Sequence, residues 1–303
     1  MRRILAAGLL ALAACGAERA SEPLPPAEGE ALFVDMLAEH QALNRRVERV
    51  GYRLLTANAD LCERTERTLG LSVHTVSDYP KRLRPLARHM LGVDEGISVR
   101  SVVAEGPANA AGLRSGDAIR RVDEMPVMPS SIADRVWRIV ERRFDEADDV
   151  TLRILRDGRR LDVPVPTVQA CASEIDILFS EMPNAHTDGI DLFITSELVR
   201  LTESDARLAL VLAHELAHVL LHAENFLPGP DKELEADALG LMLMHRAGYD
   251  MHAGIDEMES FARNLRMGVT GSHPLHTLRV SRLRDFAADV EAGDAGLEDV
   301  LKQ

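Results

Sequence analysis

Residues 205–222 read DARLALVLAHELAHVLLH, a run of Leu, Ala and Val into which His214, Glu215 and His218 are set. A helix that is apolar nearly all round is enclosed by other elements, and ionisable side chains buried without partners are strongly destabilising. Whatever fold the chain adopts must therefore bring compensating charge to these three residues. On a helix, His214 and His218 lie one turn apart and project from one face, where both imidazoles reach a single zinc ion at about 2.1 Å. Glu215 is offset by one residue, which sets its carboxylate beside such a metal, where a general base acting on the attacking water belongs. Thr202 and Asp205 in TESD have capping-box spacing and predict the start of the helix, which runs to about His222.

A third ligand has to come from elsewhere. His222 continues the spacing, but eight residues along a helix is about 12 Å, too far for one ion to touch all three histidines. The longer metzincin pattern fails as well, because Leu221 and Glu224 stand where it wants Gly and His. Downstream, FLPGPD breaks the helix at Pro228, Gly229 and Pro230, and a second helix begins near Asp231. Its antiparallel return brings its first turns toward the HExxH face. Glu233 and Asp237 share one side of that helix at i and i+4, while Glu235 points roughly the opposite way.

HExxH followed by Glu233-Leu-Glu-Ala-Asp237 resembles the zinc metallopeptidases of the CAAX prenyl protease, HtpX and BepA family, number forty-eight among metallopeptidases. The resemblance implies one Zn(2+) per chain held by His214, His218 and Glu233, with Glu215 as catalytic base and Asp237 orienting a ligating histidine. PNAHTDGIDLFITSELV resembles the family's Asn-Ala segment and the edge strand that lines its cleft. SHPLHTLRVSRL resembles its C-terminal His-Pro element, which places His273 and Arg279 near the active site. By the same token His273 or Tyr249 would stabilise the oxyanion, and His273 is also placed to block the zinc at rest. The implied fold class is α+β, a mainly helical, gluzincin-type domain with a small β-sheet. The chain departs from the family in a short gap between His218 and Glu233, in Gly189-Ile190 for Gly-Gly, and in Ser272 for threonine.

Between the two parts of that domain, residues 31–80 and 171–300, lies a segment with its own pattern. GISVRSVV alternates as a strand, SSIADRVWRIVERRF has the spacing of an amphipathic helix, and VTLRILRDGRRLDVPV reads as a hairpin turning at Asp157-Gly158. With GPANAAGLRSGDAI, residues 88–168 resemble an inserted, β-rich bacterial PDZ domain. That resemblance makes Met90 to Val93, with Leu91, Gly92 and Val93, the loop that holds a peptide carboxylate, and Ile97 to Arg100 the strand to which the peptide adds.

Residues 1–14 have the layout of a secretory signal: Arg2 and Arg3, an apolar run from Ile4 to Ala14, then a cysteine. Leu12-Ala13-Ala14-Cys15 resembles a bacterial lipobox, which implies lipidation at Cys15 and a Pro- and Glu-rich tether over 15–30. Gly16 in the next position implies the outer membrane, on its periplasmic side. Cys62 and Cys171 then remain, and an even remainder in an exported chain suggests a disulfide, here just outside the two junctions of the insertion. No internal run is long and uncharged enough to span a bilayer. The formal charge of -14 argues against nucleic acid, and the basic cluster KRLRPLARH at 81–89 reads as a solvated linker face. The expected function is an exported zinc metalloendopeptidase acting on peptides or unfolded proteins in envelope quality control, with the PDZ domain for recognition or regulation. The alternative is a PDZ-based, chaperone-like lipoprotein whose peptidase domain is silent.

Overall fold

A computed structural model describes residues 26–127, 147–222, 230–264 and 277–293, together with Trp137 and Phe144. In chain order the elements are α1 (Pro26–Ala57), β1 (Thr65–Thr68), β2 (Leu71–His74), α2 (Arg84–Leu91), β3 (Ser98–Val102), α3 (Pro107–Ala110), β4 (Ala118–Val122) and β5 (Met125–Pro126). They continue with β6 (Asp149–Arg156), β7 (Arg159–Pro166), β8 (Val168–Cys171), β9 (Ile175–Leu178), β10 (Ala185–Thr187) and β11 (Leu192–Thr195). The last are α4 (Ser196–Leu201), α5 (Asp205–His222), α6 (Pro230–Arg246), α7 (Met251–Asn264) and α8 (Thr277–Ala292). The architecture is α+β, as expected. Among the described residues no helix is long and apolar enough to cross a membrane.

Apolar residues of α1 at helical spacing, Val47, Val50 and Leu54, enter one core with Leu208, Leu212 and Leu216 of α5, Leu239 and Leu243 of α6, Ile255 of α7 and Leu283 of α8. A three-stranded sheet in the order β10-β11-β9 lays Leu192 and Ile194 on the same core. Within it β11 runs antiparallel to β10 and parallel to β9. Strand β10 is therefore an edge, and it lies along α5.

The chain leaves this domain on β1 and returns on β8, which pair antiparallel from Thr65↔Cys171 to Thr68↔Val168. Cys62 and Cys171 are disulfide-bonded at the foot of that ribbon, their Cα atoms 5.4 Å apart across a sequence separation of 109. The segment between forms a second sheet along the path β2-β3-β4-β6-β7, with β5 on β4. It closes on its own core of Leu69, Ile97, Val99, Ile119, Leu152 and Ile154. The β6–β7 turn is as the sequence predicts, with Asp157 at φ 50° and Gly158 at φ 73°, the left-handed pair that a two-residue hairpin loop requires.

Three local expectations are corrected. The second sheet begins at β2 and not at residue 88, since Leu71–His74 pairs with β3. The stretch 81–89, expected as a linker face, runs into helix α2, and Pro85 sits in its first turn, where its missing N–H leaves no bond unmade. Helix α5 is capped by Ser204 rather than Thr202. The Ser204 hydroxyl accepts from Arg207 N at 3.2 Å, whereas Thr202 closes α4 and donates to Val199 O. The amphipathic helix expected around Trp137 lies outside the described residues except for Trp137 and Phe144, whose rings meet edge to face.

A third, smaller cluster joins the two domains. Leu37 of α1 packs with Val76, Tyr79, Ala87 and Val93. About three helical turns further along α1, Glu48 accepts hydrogen bonds from Arg100 and Ser101 of β3.

Candidate metal centre

Helices α5 and α6 pack antiparallel and very closely. A Cβ placed on Gly240 would lie 3.0 Å from His214 N and 3.1 Å from His214 Cα, both fixed backbone atoms. The absent side chain at 240 is what lets the first turns of α6 reach across the HExxH face. There the Nε2 atoms of His214 and His218 are 3.1 Å apart. Glu233 Oε2 lies 3.5 Å from the first and Oε1 3.6 Å from the second. Tetrahedral zinc with ligands at about 2.0–2.1 Å has donor–donor edges of about 3.4 Å. The three separations fit that edge, and His214, His218 and Glu233 are the group among the described residues whose donor atoms lie within 4.8 Å of one another.

The remaining contacts fix this triangle. His214 Nδ1 is 3.0 Å from Asp237 Oδ1, a contact that favours a proton on Nδ1 and leaves Nε2 facing Glu233. Arg279 of α8 grips Asp237 through Nε at 2.7 Å and Nη2 at 2.6 Å, and its Nη1 lies 3.2 Å from Glu233 Oε2. Glu215 is buried within the same group, 2% exposed.

Among the described residues, three buried carboxylates, Glu215, Glu233 and Asp237, gather here, and Arg279 is a permanent cation in contact with two of them. Burial opposes protonation of His214, but hydrogen bonds to Asp237 and Glu233 outweigh it and push its pKa up to about 9. Burial likewise opposes ionisation of Asp237, yet the Arg279 and His214 contacts hold its carboxyl below the ordinary range. A divalent cation at the triangle fits this donor set and supplies the positive charge that His214 otherwise gains by taking up a proton.

Other expected residues fall differently. Tyr249 is remote from the donors: it follows the far end of α6, about 20 Å along the helix from Glu233, with Arg53 4.4 Å from its ring centroid. It is no oxyanion group. His273 lies outside the described residues, as does Cys15. Leu91, Gly92 and Val93, expected as a carboxylate-holding loop, do not lead directly into an edge strand. Leu91 ends α2, Gly92 caps that helix at φ 64°, and Val93 is buried against Leu37. Strand β3, expected to receive a peptide over Ile97 to Arg100, is already paired with β2 and β4. The open edge of this sheet on that side is β2, preceded by Leu69-Gly70. A second Leu-Gly pair before an alternating strand was the available signal for it.

Family models match three stretches of the chain: a PDZ domain at 68–167, the IrrE N-terminal-like domain at 171–249, and peptidase family M48 at 229–287. No curated protein matches. Among solved structures, the HtrA-type protease AlgW with decapeptide is 22% identical over 35% of this chain and 30% of that one, with a TM-score of 0.27. The HtrA3 PDZ domain bound to a phage-derived ligand is 20% identical over 35% of this chain and 89% of that one, also at 0.27. This chain thus spans less than a third of the length of AlgW. The PDZ match ends at 167, the IrrE N-terminal-like match begins at Cys171 and the family M48 match follows from 229, so the chain combines a PDZ domain with a domain of metallopeptidase type.

Proposed function

We propose that this chain is an exported zinc metalloendopeptidase that cuts peptides or unfolded proteins, tethered through Cys15 to the periplasmic face of the outer membrane and serving envelope quality control. The observation that carries the catalytic reading is the convergence of His214, His218 and Glu233 within 4.8 Å, beside a buried Glu215. Zinc bound there supplies Lewis acidity toward a scissile carbonyl and makes water a better nucleophile.

The chain's own residues do the rest. Asp237 favours the tautomer of His214 that presents Nε2, and Arg279 holds Asp237 ionised while also contacting Glu233. The edge strand β10, alongside α5, aligns an extended substrate by backbone hydrogen bonds. Glu215 removes a proton from the attacking water and delivers it to the leaving amine. The free edge of β2 takes a peptide terminus in the PDZ domain, ahead of or apart from cleavage.

The test is Glu215→Gln. The variant is expected to keep stoichiometric zinc and to lose cleavage of an unfolded protein by at least about 100-fold. Unchanged turnover ends the mechanism. Zinc binding by the native chain with no cleavage of any unfolded substrate instead favours the silent, peptide-binding reading.

A further inference from the structure

We propose that the N-terminal end of α1 and the basic helix α2 together form a surface that lies on an anionic lipid membrane. Leu32 and Met36 are one turn apart on α1 and are 54% and 50% exposed, although Leu43, further along the same side, is buried in the core. The apolar stripe of α1 therefore overruns the domain it packs into. Leu37 joins this end of α1 to Ala87 of α2, and Arg82 lies 5.3 Å from the Phe33 ring centroid. At the next edge Phe179, 65% exposed, rests on the His40 ring at 4.9 Å.

Beside these apolar groups stands KRLRPLARH, a concentration of positive charge in a chain whose formal charge is -14. Arg88 pairs with Glu95, and Arg84 donates to the backbone oxygens of Tyr79 and Ser77. Lys81 and Arg82 face solvent. On the acidic side, Glu39 is held by Arg200, and Asp35 is exposed on α1. Exposed apolar side chains flanked by cations match the acyl boundary and headgroups of an anionic bilayer. The partner is also close at hand. Ten residues lie between Cys15 and Pro26, and the steps across them at about 3.5 Å each keep the start of α1 within about 40 Å of a lipid on Cys15. The proposal uses the tether only for this proximity; the surface itself stands on the exposed groups.

The chain from Gly16 onward contains every described residue and lacks the anchor. In flotation with phosphatidylcholine vesicles, with or without phosphatidylglycerol, it is expected to float only when phosphatidylglycerol is present and to be released by high salt. One Lys or Arg near an anionic surface is worth about fivefold in partitioning. Lys81→Glu with Arg82→Glu should thus weaken binding at least tenfold by this ~fivefold-per-charge rule. Leu32→Ser with Met36→Ser should weaken it comparably, with circular dichroism unchanged. No flotation, or flotation that all four substitutions leave unmoved, overturns the proposal. So does a dimer that the same substitutions dissociate, which would assign the surface to a second copy. Mass spectrometry of Cys15 in the whole chain reports separately on the tether: acylation without flotation of the shorter chain sinks only the surface, and flotation with unmodified Cys15 supports the surface and sinks the tether.

Discussion

Asp237 touches both His214 and Arg279, giving one oxygen to the imidazole Nδ1 and both to the guanidinium. Its substitution by asparagine keeps the shape but weakens the pull on His214 Nδ1–H and leaves Arg279 short of a counter-charge. Asp237→Asn should lower zinc affinity about 10–100-fold, read by competition with a chelator. The i, i+4 spacing of His214 with His218 and of Glu233 with Asp237 made these four residues legible, because helical spacing alone aligns them. Arg279 was reached through a family resemblance and not through pattern. Its contact spans 42 residues to another helix, and no local period announces that.

At the level of elements, the site depends on how closely α5 and α6 approach. Gly240→Ala puts a methyl group about where His214 backbone atoms already stand, and neither helix can relieve this by turning a side chain. A loss of about 1–3 kcal/mol in unfolding free energy is expected, with zinc affinity falling in the same variant because Glu233 and Asp237 move off with α6. Denaturant titration and chelator competition on one preparation check both. The glycine's signal was present in DALGLML, an isolated Gly inside a helical run. The terminal strand of the second sheet is hard to place from the sequence for a related reason. Thr68-Leu69-Gly70-Leu71 and Met90-Leu91-Gly92-Val93 look alike as strings, and only strand pairing, which is long-range, shows that the first opens an edge strand and the second ends a helix. Thr202 and Ser204 are a similar pair, two hydroxyls near one helix start, decided by which backbone N–H each can face.

For the whole molecule, the joint between the two domains is sensitive to acid. His74 of β2 is buried, accepts or donates at Nδ1 with Tyr79 OH at 2.7 Å, and sits where burial, Arg100 and His40 lower its pKa to about 4. The unfolded chain takes up a proton near pH 6.5, so between 6.5 and about 4 the unfolded state binds more protons than the folded one. Stability contributed by keeping His74 neutral is complete above pH 6.5 and falls as pH drops, by up to about 3 kcal/mol, then levels off below about 4. His74→Gln should flatten urea midpoints measured across that window. The disulfide acts at the same scale. Cys62→Ser with Cys171→Ser reopens a separation of 109 residues, and the chain-entropy model sets the expected loss at about 5 kcal/mol. Differential unfolding of the variant and of reduced native chain should agree.

The β1–β8 ribbon also orders events in time. Helix α1 is made first, yet its core partners on α5 to α8 follow the whole insertion in the chain. Chains emerge from synthesis in sequence. The β6–β7 hairpin and the rest of the inserted sheet have their partners at hand early, and local contacts form quickly. The second sheet can therefore be complete while α1 still waits for the helices that will cover it, and its closed ends deliver the later half of the chain to within 5.4 Å of where the earlier half stopped. A folded insertion of this kind works as a splint, removing most of the entropy of closing so long a loop before the zinc-site helices exist.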